Sequence, residues 1–116
     1  MKCSINSLYL CVDNMNRAID FYEQLFNQKV MKRDRIYSIF NIDGFRLGLF
    51  AYKEVKEEHT FGSNCLPSIE VESLDDIKKV LGNTQVVFPI TQIGDNWVAE
   101  FSDSEGNHIE ITTPVQ

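Results

Sequence analysis

His108 and Glu110 stand two residues apart in the run His108-Ile109-Glu110-Ile111, and a strand there puts an imidazole and a carboxylate on one face. Either group can serve as a general base toward a bound molecule. The plainer reading is a part-exposed strand histidine beside a turn and a carboxylate that is solvated or paired with Arg46. The other histidine, His59, closes the charged run KEVKEEH over 53–59, which reads as a solvated linker. The thiols offer less. Cys3, Cys11 and Cys65 are an odd, sparse set, which is no disulfide framework, and no pair has the short spacing of a zinc site. Cys11 lies in an apolar alternating run and reads as a small buried hydrophobe. The expected compartment is the reducing cytosol.

The chain that positions these groups has 116 residues, 43% hydrophobic and 24% charged, an ordinary globular composition. It carries 11 Lys+Arg against 17 Asp+Glu, a net charge of -6, whereas a protein that grips phosphates presents a basic face. Nucleic acid is therefore not an expected partner. Nor is a membrane, because no apolar run approaches the roughly 18 residues of a spanning helix. The opening MKCSINSLYL also lacks the pattern of a secretory leader.

Alternation predicts a strand over 7–12, with Leu8, Leu10 and Val12 on one face and Ser7, Tyr9 and Cys11 on the other. Asp13 or Asn14 can cap a following helix whose inner face is Met15, Ala18, Ile19, Tyr22 and Phe26, ending at Asn27-Gln28. Strands are expected over 28–32, 35–42 and 45–50, the last two joined by the tight-turn pair Asp43-Gly44. Residues 51–64 read as a linker with a short helical turn. The order then begins again: a strand over 66–71, a helix over 74–81 stopped by Gly82-Asn83, and strands over 84–88, 97–101 and 108–112. Asp103 to Asn107 makes the last turn, where Gly106 suits a positive φ. The chain thus reads as module one over 4–50, a linker over 51–64 and module two over 65–113. Each module is of a size at which a lone core is marginal.

Two segments carry a family resemblance. LYLCVDNMNRAIDFYEQLF is a strand entering a helix with Ala-Ile-Asp-Phe-Tyr, and FSDSEGNHIEI is similar to the Asp-Pro-x-Gly-Asn-x-Ile-Glu-Leu ending of the vicinal oxygen chelate superfamily. That superfamily groups glyoxalase I, extradiol dioxygenases, fosfomycin-resistance transferases and bleomycin-resistance proteins. The resemblance runs from about Ser7 to Ile111. It implies an α+β fold of two βαβββ modules, with curved mixed sheets around a shared cavity and helices on the convex side. It is specific for fold rather than for activity.

The resemblance also implies a divalent-metal centre with two ligands per module. Carried onto this chain, its positions are Ser7, Gly48, Leu66 and Glu110. Glu110 alone is a good donor; leucine and glycine side chains cannot coordinate, and one carboxylate does not make a tight transition-metal site. The expectation is no metal and no other cofactor. A site built from Glu110 with His108, helped by His59 or Glu70, is the weaker alternative, as is a Zn or Ni cofactor.

The family plan places Ser7, Tyr9, Arg46, Phe50, Ser68, Trp97, His108 and Glu110 along the cavity. Aromatic walls with sparse polar anchors suit a small molecule. The expected function is a metal-free small-molecule-binding protein, of the kind that sequesters an antibiotic or another planar ligand. The alternative is a divalent-metal-dependent lyase or transferase resembling glyoxalase I. If any reaction is catalysed, Glu110 is the best candidate for a catalytic residue. A homodimer is the expected assembly.

Overall fold

The computed structural model describes residues 1–2, 4–59 and 66–116. Cys3, Cys65 and the 60–64 part of the expected linker lie outside the described residues. The chain divides into two compact units, Met1–Thr60 and Phe61–Gln116, described separately below.

Unit one contains β1 (Ser7–Cys11), α1 (Met15–Phe26), β2 (Tyr37–Ile42) and β3 (Phe45–Phe50). Its sheet has the order β1-β3-β2, with β1 parallel and β2 antiparallel to β3. Asn14 caps α1, its side-chain oxygen accepting the Arg17 amide at 3.1 Å. Asn27 ends the helix in the left-handed region at φ 50°. Ala18, Ile19 and Tyr22 are buried on the inner face of α1; on the sheet side Leu10, Phe40, Leu47 and Leu49 are buried. Tyr22 stacks on Phe26 at 5.6 Å between centroids, and both rings lie close to Phe40. Phe45, in the alternation set of Leu47 and Leu49, is 37% exposed at the beginning of β3.

Two strand expectations are corrected in unit one. Residues 28–32 form one isolated bridge, Lys32 to Ile39, rather than a strand. The Val30 amide is taken by Glu23 Oε2 at 3.0 Å instead of by a ladder. The strand expected from 35 begins at Tyr37, because Asp34 Oδ2 accepts the amides of Ile36 and Tyr37 at 2.9 and 3.1 Å and bends the chain there. The Asp43-Gly44 turn has positive φ at both residues, 51° and 88°, as a two-residue hairpin requires. After β3 the helical turn in the linker is present as a 3-10 turn, Tyr52–Val55. Lys53 pairs with Asp13 and Glu54 with Arg35, tying this turn to unit one.

Unit two contains β4 (Ser68–Glu70), α2 (Leu74–Leu81), β5 (Gln85–Ile93), β6 (Asn96–Ser102) and β7 (His108–Pro114). The sheet order is β4-β7-β6-β5, with β4 parallel to β7 and the other pairs antiparallel. Ser73 caps α2 by accepting the Asp76 amide at 3.2 Å. Ile77 of α2 is buried, as are Ala99, Phe101, Ile109 and Ile111 on one face of the sheet. The helix ends where expected, but Gly82 stays in the right-handed region at φ -68°; the Asn83 and Thr84 side chains bond back to Lys79 and Val80 carbonyls.

The strand expected over 66–71 shortens to Ser68–Glu70, since Pro67 has no N–H to give to a ladder. The strand expected to end at Phe88 runs on to Ile93 through Pro89. It is the edge strand and shifts register on both sides of Phe88, a setting that tolerates proline. In the β6–β7 turn the Asp103 carboxylate accepts the Glu105 and Asn107 amides, both at 2.8 Å, and the Asn107 side chain at 3.0 Å. Gly106 takes φ 91°. No helix among the described residues is long and apolar enough to cross a membrane.

Candidate functional site

Each sheet has one face turned to its helix and one open face, and the register decides which side chains share them. In unit one, Ser7 pairs with Arg46, Tyr9 with Gly48 and Cys11 with Phe50. Across β3, Tyr37 pairs with Phe50, Ile39 with Gly48 and Asn41 with Arg46. The open face therefore carries Ser7, Tyr9, Arg46 and Phe50 together, as expected, and adds Tyr37.

Three rings form a triangle there. Tyr9 meets Phe50 edge-on at 5.6 Å between centroids, Tyr37 lies 6.2 Å from Tyr9, and Tyr37 and Phe50 are 6.3 Å apart. Tyr9 is 54% exposed. Arg46 is exposed one rung beyond, with Nη2 donating to Asn6 Oδ1 at 3.2 Å. Cys11 on the same face is buried, and burial first, then the Glu57 charge, pushes its thiol pKa up. That is the environment of an inert thiol.

In unit two, Ser68 pairs with Glu110 and Glu70 with Thr112. Ser68 Oγ donates to Glu110 Oε1 at 2.7 Å, a short charge-assisted bond that holds the carboxylate. Across the other side of β7, Glu100 stands directly opposite Glu110, and Ser102 opposite His108. His108 Nδ1 lies 3.9 Å from Glu100 Oε1. Ser68, His108 and Glu110 thus share the open face, as expected. The sequence reading missed Glu100.

Trp97 does not join them. It pairs with Thr113 and falls in the alternation set of Ala99 and Phe101, which is buried on the helix side of the sheet. The signal was in the run Trp97-Val98-Ala99-Glu100-Phe101: one set is tryptophan, alanine and phenylalanine, the other valine and glutamate. Placing Trp97 on the same wall as Glu110 is thereby corrected, and Glu100 is the β6 residue that takes that position.

The four positions implied for a metal do not fit one. Ser7 offers a neutral hydroxyl. Gly48 has no side chain, and a Cβ built there would sit 2.1 Å from the Tyr37 phenol oxygen, so the ring takes the space a ligand side chain would need. Leu66 is aliphatic, which leaves Glu110, already bonded to Ser68. His59, the distant helper of the alternative site, lies against the Tyr52 ring at 5.5 Å in unit one. Among the described residues no three His, Cys, Asp or Glu side chains come close enough to hold an ion.

Comparison with known proteins matches residues 4–111 to the model of the glyoxalase/bleomycin resistance protein/dioxygenase superfamily. A family enzyme of that description from Burkholderia phytofirmans PsJN superposes with a TM-score of 0.79 at 16% identity, covering 97% of this chain and 100% of that one. The hypothetical protein SA1046 from S. aureus gives 0.76 at 18% identity, covering 100% and 95%. Lactoylglutathione lyase from Agrobacterium tumefaciens gives 0.72 at 16% identity, covering 97% and 94%. At these identities the structural likeness speaks for the fold. With nearly the whole length matched by the family model, the chain belongs to the glyoxalase/bleomycin resistance protein/dioxygenase superfamily.

Proposed function

We propose that this chain is a small-molecule-binding protein of its superfamily that takes a planar ligand on its open sheet faces and does not use a four-ligand metal centre. The observation that carries the reading is the Tyr9, Tyr37 and Phe50 triangle, with Tyr9 more than half exposed. Exposed rings held by one another offer flat apolar area at little conformational cost, and aromatic contacts add to simple area burial. Polar groups stand beside them on the same face, Arg46 and Ser7, and unit two offers Ser68, His108, Glu100 and Glu110 on its own. Sparse anchors on an apolar ground are the usual composition of a small-molecule site.

The competing reading, a divalent-metal-dependent lyase or transferase, would need imidazole or carboxylate donors where Ser7, Gly48 and Leu66 stand. Assembly as a homodimer belongs to the same proposal and is read by analytical ultracentrifugation.

Calorimetric titration of the purified chain with a panel of flat heteroaromatic compounds, planar cationic antibiotics included, tests the function. Binding of at least one compound is expected, weakened several-fold by Tyr9→Ala. A panel with neither heat of binding nor thermal shift overturns the reading. If an antibiotic is the bound compound, expression of the chain in a sensitive host raises the dose that stops growth.

A further inference from the structure

The open face of unit one is polar at one end and aromatic at the other, and the one charge within its three strands is positive. Arg46 sits on the rung of Ser7 and Asn41; the next rung is Tyr9, Gly48 and Ile39, and the next Phe50 with Tyr37. Each step of two residues along a strand spans about 7 Å, so Tyr9 stands one step and Phe50 two steps from Arg46. Because Gly48 has no side chain, the Tyr37 ring lies down over β3 and carries its phenol toward the Arg46 end.

Arg46 is the one cation within the three strands that make this face, and Lys32, bridged to Ile39, flanks its β2 edge. The Arg46 side chain donates to the neutral Asn6 Oδ1, and Asn6 is itself held in place, its carbonyl accepting the Arg46 amide at 3.0 Å. Among the described residues it forms no ion pair. A guanidinium with one neutral bond keeps most of its planar fork free, and that fork matches a carboxylate with two parallel bonds. Three other cations of unit one are paired with carboxylates, Lys53 with Asp13, Arg35 with Glu54 and Lys29 with Glu23, while Arg33, like Arg46, donates to a neutral asparagine oxygen, that of Asn16.

We infer that unit one selects a small aryl carboxylate, its ring against Tyr9 and Phe50 and its anion on the Arg46 guanidinium beside Ser7. This deepens the reading of a planar ligand and rests on it. It also separates the two units chemically, since the open face of unit two carries Glu70, Glu100 and Glu110 and would repel the same anion.

The test uses three probes with one ring system: 2-naphthoate, its neutral amide, and 2-naphthylmethylammonium. Each is titrated into the full chain, into Arg46→Gln and into Tyr9→Ala, with circular dichroism to verify the fold. Arg46 is exposed, so Arg46→Gln should fold, and Arg46→Lys is the second variant, retaining part of the selectivity. The naphthoate is expected to bind about tenfold or more tightly than the amide, with the cation weakest. Arg46→Gln should erase the preference for the acid by weakening the naphthoate far more than the amide, and Tyr9→Ala should weaken both. Binding of the amide or the cation as tight as the acid, or a preference that survives Arg46→Gln, overturns this inference and leaves planar binding standing. Failure of all three probes while other flat compounds bind also overturns it. Failure of every flat compound overturns both.

Discussion

The Tyr37 ring lies directly on the α-carbon of Gly48: a Cβ there would come within 2.1 Å of the phenol oxygen, 2.4 Å of Cζ and 2.8 Å of Cε1. One missing side chain therefore has two effects. It removes a metal-ligand position implied by the family, and it lets a tyrosine complete the triangle with Tyr9 and Phe50.

Gly48→Ala should drive Tyr37 off the sheet and destabilise unit one by about 1–3 kcal/mol, the usual cost of over-packing. Tyr37→Phe will not relieve the clash, because two ring carbons are also too close. Tyr37→Ala will, so the double variant Gly48→Ala with Tyr37→Ala should be more stable than the two single losses predict by about 0.5–3 kcal/mol. Urea unfolding of the four proteins measures the coupling. Strict additivity would mean that the two residues do not meet.

Glu100 and Glu110 face each other across β6 and β7, and like charges in that position cost about 0.2–1 kcal/mol. Glu100→Gln should therefore raise the urea midpoint at neutral pH and low salt, with the gain shrinking as salt is added. A lowered midpoint would mean that the His108 contact at 3.9 Å outweighs the repulsion.

Local pattern made most of this legible. Alternation in Ser7–Cys11 and His108–Thr112 sorted open-face from helix-face residues, and of the two caps offered for the first helix Asn14 is the one used, while the Ser73 cap of the second was not read. What escaped were competitions between side chain and backbone. Glu23 and Asp34 capture amides that a strand would have used, and no periodicity records that. The family plan puts Trp97 along the cavity, whereas its alternation set with Ala99 and Phe101 puts it on the helix side, and the set is the better guide. The partner of Gly48 could not be read at all, because Tyr37 reaches it from the neighbouring strand.

Thr113 shares the rung of Trp97 and is 1% exposed, and its hydroxyl finds no hydrogen-bond partner among the described residues. A buried hydroxyl without a partner costs about 1–3 kcal/mol of desolvation. Thr113→Val keeps the shape and removes the hydroxyl, so it should leave stability unchanged or raise it by about 1 kcal/mol. Thermal unfolding decides, and a clear loss would reveal a bond to the hydroxyl. Trp97 fluorescence, next to the change, reports whether the packing is retained.

Asp34 gives unit one an acid-sensitive corner. The Ile36 amide first and the Tyr37 amide second hold its carboxyl below the ordinary carboxylate value, with nearby Lys32 and Arg35 adding to the effect. The sign follows from linkage: with the folded pKa depressed, the ionised carboxylate favours the folded state at every pH above its unfolded value, about 3.9. That contribution is lost as pH falls from there through the lower folded value. Asp34→Asn keeps an oxygen that can accept one of the amides but cannot titrate. It should be less stable than the parent at pH 7, and its stability should fall less steeply than the parent's below about pH 4, so that the two curves converge in acid. Urea midpoints at a series of pH values trace both curves. Parallel acid limbs would show that the Asp34 turn does not set the acid stability of this unit.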